Sequence, residues 1–148
     1  MRGFAVVAGH ASRSPKLIHP LHAILLAFPL PMFSAALLAD IAYWRTFQAQ
    51  WANFAAWVIA AGLFAGTFVV LWALSSLIRG STARRRDVGW YLAVLVAMWI
   101  VGFINSLVHA KDAFATMPEG LFLSAATAIL ALIASWVGYS GFHPKETA

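Results

Sequence analysis

The sequence contains no cysteine and few charged residues. Of its 148 residues, 10% are Asp, Glu, Lys or Arg, whereas 62% are hydrophobic. A soluble domain usually has about 25% charged residues, so this chain lacks the polar surface that a soluble protein needs. The lack of cysteine excludes disulfides, thiolate metal sites and iron–sulfur ligation by this chain. The composition therefore predicts an integral membrane protein.

Motifs of familiar catalytic centres are also absent from the sequence. The chain contains no G-x-S-x-G, no H-E-x-x-H and no phosphate-binding Walker motif. It has no charged residue near the middle of an apolar segment, where pumps and ion-coupled transporters usually keep one. We identify no catalytic residue and no metal ligand, and the sequence favours a protein that is not an enzyme.

Four long apolar segments dominate the chain. They cover residues 21–43, 54–78, 88–109 and 121–139, and each can cross a hydrocarbon core of about 30 Å as a helix. The loops between them are short, so consecutive helices pack as antiparallel neighbours. We predict an all-α, up-and-down four-helix transmembrane bundle over residues 17–142, with a flexible basic tail (1–16) before it and a C-terminal tail (143–148) after it.

The basic residues are distributed unevenly along the chain. Eight of the ten Lys and Arg residues belong to the two tails and to RGSTARRRD (79–87), whereas Arg45 and Lys111 belong to the other loops. Positive charge favours the cytoplasmic side of a membrane. The distribution predicts that both termini lie in the cytoplasm and that the chain is a multi-pass protein of a bacterial inner membrane. We expect membrane lipid, and no nucleic acid, among its partners.

The first apolar segment begins with HPLHAILLAFPLP (19–31), which is rich in histidine and proline. His19 and His22 are three residues apart, so a helix places them on one face. Pro20 suits the first turn of a helix, where a missing N–H costs no hydrogen bond. Pro29 and Pro31 remove backbone donors further along the helix and predict a kink near residues 27–28.

Two roles for these histidines remain open. They can satisfy helix-end groups at the lipid headgroups, or they can bind haem, contact a quinone or relay a proton. In the second case Trp90 or Tyr91 could stack on the bound ring. A haem held by two histidines of one monomer is disfavoured, because His19 and His22 share one helix and His109 belongs to the opposite end of the bundle. A dimer could supply the second ligand.

A second polar group belongs to the other end of the bundle. Asp40 lies near the end of the first segment, and Asn105 and His109 are four residues apart at the end of the third. Arg45 and Lys111 are expected at a similar height, so Asp40 could accept a hydrogen bond from His109, Arg45 or Lys111. The group is either a cluster that ties the loop ends together or an ionisable site for a proton, an ion or a protein partner.

Gly62 and Gly66 form a GxxxG pair in the second segment. Small residues at this spacing allow close helix approach in lipid. The pair predicts tight helix packing inside the monomer, with a homodimer seam as the alternative.

The stretch HPLHAILLAFPLPMFSAALLADIAYW (19–44) resembles the start of a bacterial four-helix inner-membrane family, catalogued as domain of unknown function number twenty-two thirty-one. Members of that family open with HPxHxxLxxFP and carry an Asp near the end of the first helix. The matching residues are His19, Pro20, His22, Leu25, Phe28, Pro29 and Asp40. The resemblance continues through QWANFAAWVIAAGLFAG (50–66), INSLVHAKDAF (104–114) and GLFLSAATAILALIASWVGYSG (120–141).

The resemblance implies an association with redox proteins, since relatives are associated with Rieske-type modules, c-type cytochromes and sugar dehydrogenases. Many relatives also have a histidine early in the third helix. The corresponding stretch of this chain, DVGWYLAVLV (87–96), has none. We therefore expect a non-catalytic membrane subunit or anchor that docks a redox protein. The alternatives are a haem- or quinone-binding electron carrier with its site at His19 and His22, and a small-solute permeation protein that acts as an oligomer.

Overall fold

The computed structural model describes residues 19–79, 82–111 and 115–140. The tails predicted at residues 1–16 and 143–148 lie outside the described residues. This part of the chain contains no strand and forms five helices: α1 (Pro20–Leu26), α2 (Pro29–Thr46), α3 (Ala49–Arg79), α4 (Thr82–His109) and α5 (Glu119–Ser140). The prediction of an all-α fold is confirmed.

Four helical segments are long and apolar enough to cross a membrane. They are Pro20–Thr46, which joins α1 to α2, then Ala49–Arg79, Val88–His109 and Glu119–Ser140. Helix α2 packs against α3 and α5, and α4 packs against the same two helices. Consecutive spans are therefore neighbours, and α2 and α4 face each other across the centre of the bundle. This arrangement is the predicted four-helix bundle.

Large apolar side chains lie on the outside of the bundle. Trp57, Phe122 and Trp136 are each at least 70% exposed. Exposed apolar surface on this scale is unfavourable in water. Contact with lipid acyl chains removes the unfavourable contact with water, so the surface is the one expected of helices embedded in a bilayer.

Small residues fill much of the interior and bring the helices close together. Gly62 and Gly66 are both buried within the monomer. A Cβ at Gly62 would lie 3.0 Å from the Phe33 ring, whereas one at Gly66 would lie 3.5 Å from Met98 Cε. The buried alanines of the core are Ala36, Ala39, Ala52, Ala55, Ala73, Ala128, Ala131 and Ala134.

The first span is interrupted at Ala27 and Phe28, between α1 and α2. Pro29 has no N–H to donate to the carbonyl of Leu25, which accepts a bond from the N–H of Phe28 at 3.3 Å instead. Both Ala27 and Phe28 keep right-handed helical dihedral angles. The interruption is therefore a local change in hydrogen bonding, and it lies at the residues where the sequence predicts a kink.

Replacing Pro31 tests how much this interruption costs. Pro31 is exposed, so Pro31→Ala restores an N–H for the carbonyl of Ala27 without removing buried contacts. We expect the free energy of unfolding in detergent to rise by about 1 kcal/mol. Pro29→Ala is the matched control: it also restores an N–H, but it removes a buried ring, so its gain is smaller. A Pro31→Ala variant no more stable than the parent would contradict this account.

Two glycines are expected to respond differently to the same small change. A Cβ at Gly138 would lie 2.5 Å from Leu26 Cδ2 and 3.1 Å from the Tyr91 ring, whereas a Cβ at Gly66 meets only ordinary contacts. Gly138→Ala should therefore lower stability by about 1–3 kcal/mol through overpacking. Gly66→Ala should be close to neutral. Thermal unfolding of both variants in one detergent provides the comparison, and equal effects would refute it.

Candidate functional site

The structure places two clusters around buried polar side chains at opposite ends of the bundle. The His22 cluster contains His22, Trp72, Tyr91 and Tyr139, and lies where α1 begins and α5 ends. The Asp40 cluster contains Asp40, Asn105, His109 and Ser124, and lies where α2 and α4 end and α5 begins.

His22 is 3% exposed and is enclosed by aromatic side chains. Its ring stacks on Trp72 with centroids 5.6 Å apart and planes 22° apart. The Tyr91 ring lies edge-on at 6.1 Å, and its hydroxyl is 3.3 Å from His22 Nε2. The imidazole of His22 is therefore held by two helices: α3 supplies the stacking ring of Trp72, and α4 supplies the hydroxyl of Tyr91.

One ring nitrogen of His22 is buried without a hydrogen-bond partner. Among the described residues, none bonds to Nδ1. If the hydroxyl of Tyr91 donates to Nε2, the neutral ring carries its hydrogen on Nδ1, which is then a buried donor. Buried polar groups are nearly always paired in proteins, so this nitrogen marks a place where an acceptor would be stabilising.

The remaining groups at this end define how the cluster is built. Tyr139 donates from its hydroxyl to the carbonyl of Ala23 at 3.0 Å, which fixes the end of α5 to α1. His19 is exposed and its ring lies 5.0 Å from that of Trp72, so the cluster reaches the surface there. His19 provides no side-chain cap for α1.

Trp90 and Tyr91, the two residues predicted as alternatives for stacking on a ring bound at the histidines, point in different directions. Tyr91 contacts His22, whereas Trp90 is 68% exposed, because adjacent residues of a helix point about 100° apart. The residue that stacks on His22 itself is Trp72, for which the sequence offered no prediction. Trp72 lies two turns before the end of α3 and His22 lies close to the start of α1, so their depth could be read from the sequence but the direction of the Trp72 side chain could not.

At the opposite end, a buried contact joins α2 to α4. His109 Nε2 lies 2.9 Å from Asp40 Oδ1, with the two side chains 1% and 0% exposed. His109 Nδ1 lies 3.0 Å from the backbone carbonyl of Asn105. Of the three candidate partners for Asp40, the structure therefore selects His109.

Asn105 extends this cluster to α5. Its side-chain amide donates to the hydroxyl of Ser124 at 2.8 Å, a partner that the sequence analysis did not identify. Asp40 Oδ2, Asn105 Oδ1 and the Tyr43 hydroxyl are buried with no hydrogen-bond partner in the described part of the chain. Three buried oxygen atoms at this end of the bundle therefore lack a partner among the described residues.

Arg45 and Lys111 remain outside the buried cluster. Both are exposed. Lys111 Nζ lies 3.7 Å from Glu119 Oε2 in an exposed pair, and Arg45 forms no salt bridge to any described residue. Such exposed pairs contribute about 0–1 kcal/mol. The structure therefore divides the predicted outer group into a buried part and a surface part.

A cavity of about 280 Å³ leads to the buried part. Residues at the start of α3, the end of α4 and the following loop line it: Ala49, Gln50, Ala52, Asn53, His109, Lys111 and Thr116. His109 is buried, whereas Gln50, Asn53 and Lys111 are exposed. Within the described ranges, no group of three or more His, Asp or Glu residues is close enough to hold a metal ion.

These features define a multi-pass membrane protein whose polar side chains pair across the bundle at both ends. The chain belongs to the family described as "Predicted membrane protein (DUF2231)", which matches residues 18–141. No curated protein and no solved structure matches the chain.

Removing one partner of the Asp40–His109 contact should be strongly destabilising. His109→Ala leaves the buried carboxyl group without its partner, which costs about 3–5 kcal/mol for a buried pair. Lys111→Ala serves as a control at the same end, since its exposed pair is worth about 0–1 kcal/mol. Chemical unfolding in detergent measures both. A His109→Ala effect as small as that of Lys111→Ala would show that the buried contact adds nothing.

Proposed function

We propose that this protein is a non-catalytic membrane subunit of an electron-transfer system and that it contacts a quinone headgroup at the His22 cluster. In this proposal the chain lies in a bacterial inner membrane with both termini in the cytoplasm. The redox association rests on the resemblance of the sequence to its family. The quinone contact rests on the geometry around His22.

The unpartnered Nδ1 of His22 is the observation that carries the proposal. This nitrogen is buried at one end of an apolar bundle. The other ring nitrogen, Nε2, lies 3.3 Å from the hydroxyl of Tyr91. A quinone headgroup offers carbonyl oxygens, which accept hydrogen bonds from such donors. The quinone ring can also stack on an aromatic side chain, and Trp72, which stacks on His22, lies at this site.

The cluster is also placed where a lipid-soluble molecule can reach it. His19 is exposed and Leu21 is 50% exposed, so the surface beside the cluster contacts the membrane. A quinone in the bilayer would approach along this surface and meet His19 and Trp72 before His22. When bound, the quinone would supply electron and proton transfer, and this chain would position the headgroup through Nδ1 of His22, whose tautomer the hydroxyl of Tyr91 fixes.

A haem fits the described residues less well. A haem held by two histidines needs imidazoles on opposite sides of the iron. His19 precedes α1 and His22 lies in its first turn, and both rings contact Trp72. His109 bonds to Asp40 at the other end of the bundle. No described histidine therefore faces His22 from the opposite side. Of the two ligands considered for this end of the bundle, haem and quinone, we therefore propose quinone.

The proposal predicts saturable quenching of tryptophan fluorescence by a short-chain benzoquinone added to the protein in detergent. Trp72→Phe should abolish the saturable component. His22→Phe should weaken binding about five-fold, which corresponds to one lost hydrogen bond of about 1 kcal/mol. Trp136→Phe is the matched control, because Trp136 is 75% exposed and should leave the midpoint of the titration unchanged.

Two outcomes would contradict the proposal. Quenching that rises linearly with quinone in the parent and all three variants would indicate simple partitioning into the micelle. A reduced visible spectrum with a haem band that disappears in His22→Ala would replace quinone by haem.

A further inference from the structure

We infer that Asp40 and His109 form a proton-binding site that is linked to the surface by the cavity beside them. This pair lies at the opposite end of the bundle from the His22 cluster, and only the compartment that the site senses rests on the orientation given under the proposed function. The bound proton follows from counting the hydrogens that the observed contacts need.

The two contacts of the His109 ring require a proton between the ring and Asp40. Nδ1 faces the backbone carbonyl of Asn105 at 3.0 Å, and a carbonyl only accepts, so Nδ1 carries a hydrogen. Nε2 of a neutral ring would then be an acceptor. An ionised carboxylate is also an acceptor, yet Nε2 and Asp40 Oδ1 are 2.9 Å apart.

This distance is compatible with two arrangements that hold the same number of protons. Either the ring is an imidazolium beside a carboxylate, or a neutral ring accepts from a carboxylic acid. In both cases the pair carries one more proton than a neutral histidine beside an ionised aspartate. The net charge of the pair is zero, which is the state that a buried site in a low-dielectric interior favours.

Loss of that proton would leave two acceptors facing each other. Their side chains are 1% and 0% exposed, so water cannot replace the lost bond without movement. The contact joins α2 to α4 across the bundle. Release of the proton therefore weakens a link between helices that are not packed neighbours, and proton binding restores it.

The cavity gives the proton a path. His109 lines its wall together with the exposed residues Gln50, Asn53 and Lys111. In the orientation proposed above, this cavity opens on the non-cytoplasmic side. The site would then respond to the pH of that compartment.

Other charged or titratable groups at this end are few in the described ranges. On α2, Arg45 is exposed and the Tyr43 hydroxyl is buried. Lys111 after α4 and Glu119 on α5 form an exposed pair. The described start of α3 presents polar but uncharged residues, Gln50 and Asn53, to the cavity. The buried pair is thus the group whose titration would change a contact between helices.

The first test counts the proton directly. The full chain, labelled with nitrogen-15 in histidine, is studied by NMR in detergent at neutral pH, together with its infrared spectrum. We expect either a protonated Nε2 on His109 or a carboxylic acid band that disappears in Asp40→Asn. An unprotonated Nε2 with no carboxylic acid band assignable to Asp40 would overturn the inference.

The second test measures the unfolding temperature between about pH 7 and about pH 9, which stays below the usual tyrosine pKa of about 10. The parent should lose stability as pH rises, because the pair releases its proton. In Asp40→Asn the amide N–H donates to Nε2 of a neutral ring, so this step should disappear. Lys111→Gln should keep the parental profile.

A third variant keeps the inference testable if Asp40→Asn does not fold. His109→Gln places an amide donor beside the carboxylate and also removes the titrating ring, so it should lack the alkaline step. An identical pH profile in the parent and in whichever of the two variants folds would overturn the inference.

Discussion

A polar side chain within an apolar layer is costly unless it finds a partner inside the chain, and two hydrogen bonds across the bundle supply such partners here. His22 contacts Tyr91, and Asp40 contacts His109. Each bond joins the first span to the third, and each pair is separated by 69 residues in the sequence. The two bonds therefore specify one register between two parallel helices, at points about 27 Å apart for an 18-residue interval at 1.5 Å per residue.

The side chains between these two bonds allow the helices to pack closely, but they do not fix the axial register of one helix against another. Small side chains such as Ala36, Ala131 and Gly62 permit near approach, but apolar contacts tolerate sliding better than hydrogen bonds do. Bonds within the spans remain local or link neighbouring helices, as when the indole of Trp99 donates to Thr67 at 3.0 Å. Both candidate sites therefore also stabilise the bundle. Variants that keep the hydrogen bond but change its chemistry separate this structural role from the proposed function of the site.

The four spans could be predicted from the sequence because hydrophobic length alone determines them. The pairing of side chains was harder to predict. Spacing along α4 placed Asn105 and His109 on one face, but it could not choose among three partners for Asp40, since that choice depends on how α4 is rotated in the bundle. Trp72 was missed for the same reason, because no local pattern distinguishes a tryptophan that faces a histidine from one that faces lipid.

The sequence separation of the Asp40–His109 pair also has a consequence for biogenesis. Asp40 enters the membrane with the first span, and 69 residues must still be added before His109 exists. At about 5–20 residues per second, this interval lasts about 3–14 s. During it a lone carboxyl group occupies a segment that otherwise belongs in hydrocarbon. The first span therefore reaches its final hydrogen bonding only after the third span has been inserted beside it.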